Sequence, residues 1–350
     1  MGTSEPLWTI RPKPKPLESL SSWIIRLAAA HGQRLHSFCT DHWRGEQLWN
    51  RDLDHHAPAV VLHSLAMGTG IGLDRARQTT FASFEGVLHE GPDPIAALSF
   101  VRPLGVYHRT RKAYGQQVCP ECLATDPEPY FRLTWRLMLF PLCTRHAKIL
   151  LDRCSICAAP VIPHRGHLTY CHMCSADFAT MPQLIASAPA LALQRRNEGI
   201  LQGSAVISPA SLLGLHPLLY FRLLRCLSIR LVLGRRRDAF REQVSHWLDT
   251  SLNDLPNGQK LSIGTLDPYT SHEVLKAIAC LLEGWPAKFV GAAQEARLWQ
   301  SWAAKDIPPQ MMPFAYADVV SRYLRIDPNE ARKSAFWLAR QSAKPFRFVH

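Results

Sequence analysis

Hydrophobic residues recur at helical spacing over much of the chain. Near the start, one helical face carries Leu20, Trp23, Ile24, Leu27 and Ala28, because residues three or four apart lie on the same side of an α-helix. We assign these residues to the core, with Gly32 ending the helix. The same periodicity later in the chain predicts helices over 212–233, 238–249, 272–283, 292–303, 315–324 and 329–341. The pattern predicts a mainly α protein.

Residues 58–84 predict two short helices joined by a glycine-rich turn. Apolar periodicity breaks at 68–72 and resumes at Leu73. Arg75, Gln78 and Thr79 lie on the polar side of the second predicted helix, with Arg77 at its edge. This layout is typical of a helix-turn-helix unit, whose second helix offers polar side chains to a DNA groove. Many such units dock protein instead, and that alternative stays open.

Four pairs of metal-ligand residues, each pair separated by two residues, follow in the middle of the chain. They use seven of the ten cysteines and one histidine: Cys119 and Cys122, Cys143 and His146, Cys154 and Cys157, Cys171 and Cys174. Such a turn, or knuckle, directs two ligands at one centre, and two knuckles supply the four ligands that tetrahedral Zn²⁺ prefers. The spacing predicts two structural zinc ions per chain. Sequential pairing of the knuckles is simplest, but an interleaved arrangement is also compatible with the spacing.

The net positive charge of the chain favours polyanionic partners. The chain has 40 Lys and Arg residues against 28 Asp and Glu, giving a net charge of +12, and the guanidinium group of arginine binds phosphate bidentately. We expect contacts with nucleic acid or a partner protein at Arg75, Arg77, Gln78, Arg109, Arg111, Lys112, Arg132 and Arg136. The last two lie four residues apart on an amphipathic helix predicted over 130–138.

The N-terminus shows no signal-peptide pattern and no apolar run approaches a membrane span. We therefore expect a cytoplasmic protein without membrane association, which also suits zinc thiolates. Three domains are predicted: an N-terminal helical domain with the helix-turn-helix over 1–115, a two-zinc module over 116–182, and a C-terminal helical domain over 183–350.

Several stretches together carry a resemblance to a known family. They are Glu18-Ser-Leu-Ser-Ser-Trp-Ile-Ile-Arg-Leu-Ala28, Thr69-Gly-Ile71, Cys119-Pro-Glu-Cys-Leu123, Pro129-Tyr-Phe-Arg-Leu-Thr-Trp-Arg136, Cys143-Thr-Arg-His146 and Cys154-Ser-Ile-Cys157. This combination resembles TniQ, the family of transposon target-selection proteins that also includes TnsD.

The resemblance implies a non-enzymatic adaptor that marks an insertion site and recruits an AAA+ ATPase regulator, which then recruits the transposase. Some TnsD-like members read a DNA site directly, whereas other TniQ members are carried by a CRISPR RNA-guided complex, often as a homodimer. The chain is shorter than the long TnsD type, so we expect a guide-RNA complex to supply site choice.

Two other classes of function are considered. A zinc-containing helix-turn-helix transcription regulator would use the same elements without an ATPase partner. A zinc hydrolase or nuclease is disfavoured, because both predicted sites are full and the sequence has no His-Glu-x-x-His motif.

Overall fold

The computed structural model describes residues 7–91, 100–107, 110–111, 113–248, 250–252, 255 and 263–327. Within this part the protein is mainly helical. The α-helices are α1 Leu20–Ala30, α2 Leu35–His42, α3 Ala59–Thr69, α4 Leu73–Arg77, α5 Pro120–Thr125, α6 Ala188–Leu201, α7 Pro217–Val232, α8 Arg237–Ser245, α9 Pro268–Glu283, α10 Ala287–Glu295, α11 Gln300–Ala304 and α12 Phe314–Tyr323. Short 3₁₀ helices occupy Leu48–Asn50, Phe81–Phe84, Leu133–Arg136, Pro163–Arg165, Phe178–Thr180, Ala210–Leu212, Ile263–Thr265 and Pro309–Met311.

Two small antiparallel sheets accompany the helices. Strand β1 (Val106–Tyr107) pairs with β2 (Thr110–Arg111). Strand β3 (Leu142–Cys143) pairs with β4 (Lys148–Ile149), and Cys143 lies opposite Lys148. The second hairpin thus carries one knuckle in β3 and its turn.

Helix α1 agrees with the sequence pattern. Its N-cap Ser19 accepts a hydrogen bond from Ser22 N, and Gly32, with φ +64°, follows its end. Glycine suits that left-handed position because it has no Cβ to clash. Trp23 is fully buried, and its indole Nε1 donates to Pro12 O at 2.8 Å. The predicted core role of Trp23 is therefore confirmed, and the same residue holds the basic segment of residues 11–16, called the lead-in below.

The predicted second helix of residues 58–84 is much shorter than expected. Helix α3 ends at a left-handed Gly70, within the predicted glycine-rich turn, but α4 ends at Arg77. The chain then turns inward, because Thr79 O accepts a hydrogen bond from Leu20 N at 2.7 Å. Thr79 itself is buried, so its expected place on the polar face is wrong. The helix-turn-helix layout remains a prediction.

The amphipathic helix expected over 130–138 is replaced by the 3₁₀ turn Leu133–Arg136. The residues before the turn are extended, because Phe131 O accepts from Ser19 N at 2.9 Å and Leu133 N donates to Leu17 O at 2.8 Å. These bonds to the segment preceding α1 replace the hydrogen bonds that a helix would need.

Most of the later helices that periodicity predicts are present, with one correction, and α6 (Ala188–Leu201) lies where no helix was predicted. The helix expected over 292–303 is divided into α10 and α11, because Arg297 takes a left-handed backbone conformation with φ +51°. Pro217 begins α7, where its missing N–H costs no helical hydrogen bond. The helix expected over 329–341 lies outside the described residues.

Two hydrophobic cores organise the described residues. The first joins α1, α3 and the knuckle region, and it includes Cys119, Cys122, Cys143, Cys154 and Cys171. The second joins α6 to α12 with the segments around 81–101 and 133–149. The knuckles therefore share a core with the N-terminal helices, while the three domain boundaries stay a prediction.

Candidate metal centres and partner-binding surface

The first metal-ligand cluster lies where α5 meets the β3–β4 hairpin. Cys119 is the N-cap of α5 and Cys122 lies in its first turn, while Cys143 ends β3 and His146 lies in the hairpin turn. Their four ligand atoms are all within 4.8 Å of one another. The structure thus brings together the first two knuckles, which is the sequential grouping.

The separations of these atoms fit a tetrahedral metal ion. Zinc bonds of about 2.3 Å to sulfur and about 2.0 Å to nitrogen imply tetrahedron edges of roughly 3.8 Å between sulfurs and roughly 3.5 Å from sulfur to nitrogen. Cys122 Sγ is 3.6 Å from Cys143 Sγ, and His146 Nδ1 is 3.4 Å from Cys119 Sγ. A disulfide requires sulfur atoms about 2.05 Å apart. The donor set therefore fits zinc and not a crosslink.

The second cluster is formed by Cys154, Cys157, Cys171 and Cys174, whose sulfur atoms again lie within 4.8 Å of one another. Cys154 and Cys171 are buried, whereas Cys157 and Cys174 are exposed. Two sulfur–sulfur separations are 3.6 Å and 3.5 Å, again close to tetrahedral edges. The second cluster thus has the same geometry as the first but lies nearer to solvent.

The two knuckles of the second cluster repeat each other position by position. Cys154 Sγ accepts from Ile156 N at 3.4 Å, and Cys171 Sγ accepts from Met173 N at 3.5 Å. Backbone N–H groups directed at sulfur favour the thiolate form that a metal requires. The repeated N–H···S geometry is a second observation that fits metal ligation.

The residue after each of the last three knuckles has a left-handed backbone. The φ angles are +54° at Ala147, +58° at Ala158 and +59° at Ser175. Ala158 N then donates to Cys154 O, and Ser175 N donates to Cys171 O, both at 2.9 Å. A non-glycine residue adopts this conformation at a cost, so the knuckle turns are held by interactions that offset it.

Crowding of ligands perturbs the thiol pKa values. The pKa of Cys143 is lowered to about 2, because the thiols of Cys119 and Cys122 donate hydrogen bonds to its sulfur. The pKa of Cys122 is raised in return. At Cys154, burial raises the pKa, but backbone hydrogen bonds from Cys157 and Ile156 outweigh burial and lower it to about 7. A bound divalent cation would relieve the repulsion that keeps neighbouring thiols protonated.

An ionic network, buried except at Glu128, lies at the start of α1. Arg26 Nη1 is 2.6 Å from Glu18 Oε2, and Arg26 Nη2 is 2.7 Å from Glu128 Oε2. Burial raises the pKa of Glu18, although the charge of Arg26 opposes that shift. Ser22 Oγ donates to Glu18 at 2.9 Å and accepts from Phe131 N at 2.9 Å. The network therefore joins α1 to the segment that precedes the 3₁₀ turn.

Arg136 belongs to the interior and not to a partner-binding surface. Its side chain is 0% exposed, and its guanidinium lies 2.5 Å from Asp52 Oδ2 and 3.3 Å from Asp54 Oδ2. The expected partner contact at Arg136 is corrected on this ground, since the fold covers it. Sequence reasoning missed both aspartates, because no local pattern connects them to a residue so far along the chain.

Arg132 is also occupied within the protein. Its Nη2 is 2.9 Å from Asp126 Oδ2, and its guanidinium lies over the Tyr130 ring at 4.3 Å and the Trp135 ring at 4.8 Å. The side chain keeps only 17% exposure. Contact with a partner at Arg132 would have to compete with these interactions.

The other expected contact residues fall into two groups. Arg75, Arg77 and Gln78 are exposed on and after α4. Arg109 and Lys112 lie outside the described residues, as does the side chain of Arg111, whose backbone pairs in β2.

The basic lead-in lies against the turn between α3 and α4. Lys13 Nζ donates to Thr69 O, and to Gly70 O at 3.3 Å, and Arg75 Nη2 reaches Pro14 O at 3.4 Å. A Cβ at Gly68 would collide with the Trp8 indole, so this close approach requires glycine. The lead-in therefore adds cations to the surface that carries α4.

Comparison with known proteins gives one result that bears on function. The TniQ family model matches residues 9–150, which include α1 to α5 and the first two knuckles. No curated protein matches the chain. In the described part of the chain, none of the helices has the length and apolar character needed to span a bilayer.

Proposed function

We propose that the chain, whose residues 9–150 match the TniQ family model, is a non-enzymatic adaptor of DNA transposition with a role in transposon-associated target-site selection. In this proposal it joins a target-recognition complex to the AAA+ ATPase regulator that recruits the transposase. The recognition complex is expected to be a CRISPR RNA-guided effector, in which base pairing reads the sequence.

The observation that carries the proposal is the exposed cationic surface of α4. Arg75, Arg77 and Gln78 are accessible beside Lys13 of the lead-in. Arg132 and Arg136 are held by carboxylates, so the accessible charge among the described candidates concentrates on α4. We expect this surface to contact DNA phosphates or an acidic face of the ATPase.

The metal clusters support a structural role for the metal. Each cluster offers four protein ligands, which completes the coordination of tetrahedral zinc and leaves no position for a reacting water. Zinc at the first cluster would hold α5 against the β3–β4 hairpin, and thereby stabilise the core that also carries α1 and α3. The proposed zinc thus supports the α4 surface indirectly.

The short α4 favours a partner-guided selector over one that reads DNA unaided. Five residues, Leu73–Arg77, span about 7.5 Å at 1.5 Å per residue. A recognition helix normally presents three or four side chains to base edges in the major groove. We therefore expect phosphate contact with little base readout.

A targeted-insertion assay tests the adaptor role. Arg75→Glu with Arg77→Glu should abolish targeted insertion while zinc content and thermal melting stay unchanged, since both side chains are exposed. The matched control reverses two exposed cations of the C-terminal helices, Lys305→Glu with Arg325→Glu, and should retain insertion. Normal insertion efficiency and site choice with the α4 variant would reject the proposed surface.

A binding titration separates guided from unaided selection. The isolated protein should bind its insertion locus and scrambled DNA equally, with affinity falling steeply as salt rises, because phosphate contacts release counterions. A preference for the locus of about a thousandfold, the scale of specific recognition, would favour the TnsD-like alternative.

A further inference from the structure

A cavity of about 510 Å³ lies between α2, the loop after it, and the turn that contains Pro163–Arg165. Its lining includes His36, Trp43, Glu46, Trp49 and Arg165. A volume of this size is within the range of small-molecule sites. The cavity is distinct from both metal clusters and from the α4 surface.

Flat aromatic groups form part of the cavity wall. Trp49 is half-buried and its indole N–H donates to the buried Cys39 thiol, so one edge of the ring is anchored. His36 is exposed, and its ring centroid lies 6.5 Å from that of Trp49. An anchored indole beside an imidazole offers a surface on which a flat heterocycle can stack.

Polar groups complete the wall. Gln47 and Asn50 provide amide groups, which are joined by a hydrogen bond from Asn50 Nδ2 to Gln47 Oε1, and Arg165 is exposed at the margin. Trp43 also lines the cavity; it is only 4% exposed, and its indole N–H has no acceptor among the described residues.

A second cavity adjoins the same loop. It has a volume of about 300 Å³ and shares several residues of the loop with the first, and its lining includes Arg51 and His56, both exposed. Exposed Arg44 lies between two residues that line the first cavity. Cations are thus spaced along the loop outside the aromatic recess.

We propose that this cavity binds one unpaired base of single-stranded nucleic acid, with the flanking phosphates contacting Arg165 and the arginines of the loop. A base stacked on Trp49 would present its edge to the amides of Gln47 and Asn50. The arginines disfavour a cationic ligand despite Glu46. Duplex DNA cannot enter, because its bases are stacked and paired.

Fluorescence anisotropy with the full chain tests this site. The probes are a labelled single-stranded RNA, the single-stranded DNA of the same sequence, and the corresponding duplex DNA. Trp49→Ala should weaken single-strand binding by about 5- to 150-fold, the effect of losing one stacked base, and leave duplex binding unchanged. Trp49→Phe should retain most of the single-strand affinity, because it keeps an aromatic face. If Trp49→Ala reduces the affinity for single-stranded RNA more than for single-stranded DNA, the bound base belongs to RNA. The reverse result identifies DNA as its source.

Trp247→Ala is the matched control, since Trp247 is an exposed indole of the C-terminal half, and it should not change single-strand binding. Zinc content and melting temperature establish that each variant is folded. A single-stranded probe carrying 5-iodouridine should crosslink within residues 36–50. The proposal is overturned if folded Trp49→Ala binds single strands normally, if duplex binding falls equally, or if every crosslink maps elsewhere. No transposition component is used, so the outcome is independent of the adaptor role.

Discussion

Arg136 Nη1 lies 3.3 Å from Asp54 Oδ2, although the two residues are 82 positions apart in the sequence. Asp54 also accepts hydrogen bonds from Ser21 N at 2.7 Å and Ser21 Oγ at 2.9 Å, in the first turn of α1. The same guanidinium donates to Arg102 O at 2.9 Å. One buried cation therefore joins the start of α1, the loop before α3 and the segment before the first knuckle.

Loss of the Arg136 side chain should destabilise the protein much more than loss of the nearby Arg132 side chain. Arg136→Met leaves two carboxylates without their partner, and breaking a buried ion pair costs about 3–5 kcal/mol. Arg132→Met removes one ion pair and two cation–π contacts but leaves Asp126 paired with Arg145 at 2.7 Å, so a smaller loss of about 1–2 kcal/mol is expected. Chemical denaturation followed by tryptophan fluorescence measures both. Equal destabilisation by the two changes would contradict the structural role assigned to Arg136.

The carboxyl group of Asp54 should give stability a specific pH dependence. Burial, assisted by the charge of Asp52, raises its pKa from 3.8 to about 6, against the opposing charge of Arg136. The folded protein then holds this proton more tightly than the unfolded chain does. The contribution to stability is fully present below about pH 4 and is lost as the pH rises through about 6.

Comparison with Asp54→Asn isolates that contribution. The free energy of unfolding of the natural protein, minus that of the variant, should fall between pH 4 and 7 by an amount on the order of 1–3 kcal/mol. Glu295→Gln changes an exposed carboxyl group and serves as the control, with a flat difference expected. A difference for Asp54→Asn that rises over this interval would show the opposite sign of the shift.

Elemental analysis should find two zinc ions per chain, one for each cluster. Cys143→Ala should remove one ion and Cys157→Ser the other, whereas Cys280→Ser, which changes a cysteine outside both clusters, should retain both. Loss of a structural zinc withdraws on the order of 10 kcal/mol of binding energy from folding, so both ligand variants should melt early. A content of one or no zinc in intact protein would contradict the assignment.

Chelation should remove the two ions in a definite order. Cys157 and Cys174 of the second cluster are exposed, whereas the three cysteines of the first are buried. A chelator should therefore take the second-cluster ion first. A colourimetric zinc assay with Cys157→Ser should lack the fast phase, and a fast phase that persists in this variant would reverse the order.

Glycine at the left-handed knuckle positions should stabilise the protein. Ala158 and Ser175 have φ of +58° and +59°, and a residue with a Cβ pays roughly 1 kcal/mol for that conformation. Ala158→Gly should therefore raise the melting temperature at constant zinc content. Ala124→Gly, at an exposed position of α5, should instead lower stability by about 0.5–1 kcal/mol. A loss at Ala158 as large as at Ala124 would argue against the turn geometry.

Local spacing was sufficient to predict α1 and the four knuckles, whereas the tertiary structure decided that they group sequentially. A helix repeats its contacts every three or four residues, and a knuckle brings two ligands together within a single turn. Both patterns therefore depend only on residues that are close together in the sequence. Cys39, Cys226 and Cys280 stand alone in the sequence, and all three are buried without joining either cluster.

The positions of Arg136 and of the cavity at Trp49 depended on tertiary structure. Spacing alone placed Arg132 and Arg136 on an exposed helical face, but bonds from Leu17 and Ser19 hold that segment extended or turned, and Asp52 and Asp54 enclose the second arginine. A periodic pattern reports which residues share a face, and it contains no information on what covers that face. Burial of a charge is decided by partners remote in sequence, because only a distant carboxylate brought close by folding can offset its desolvation.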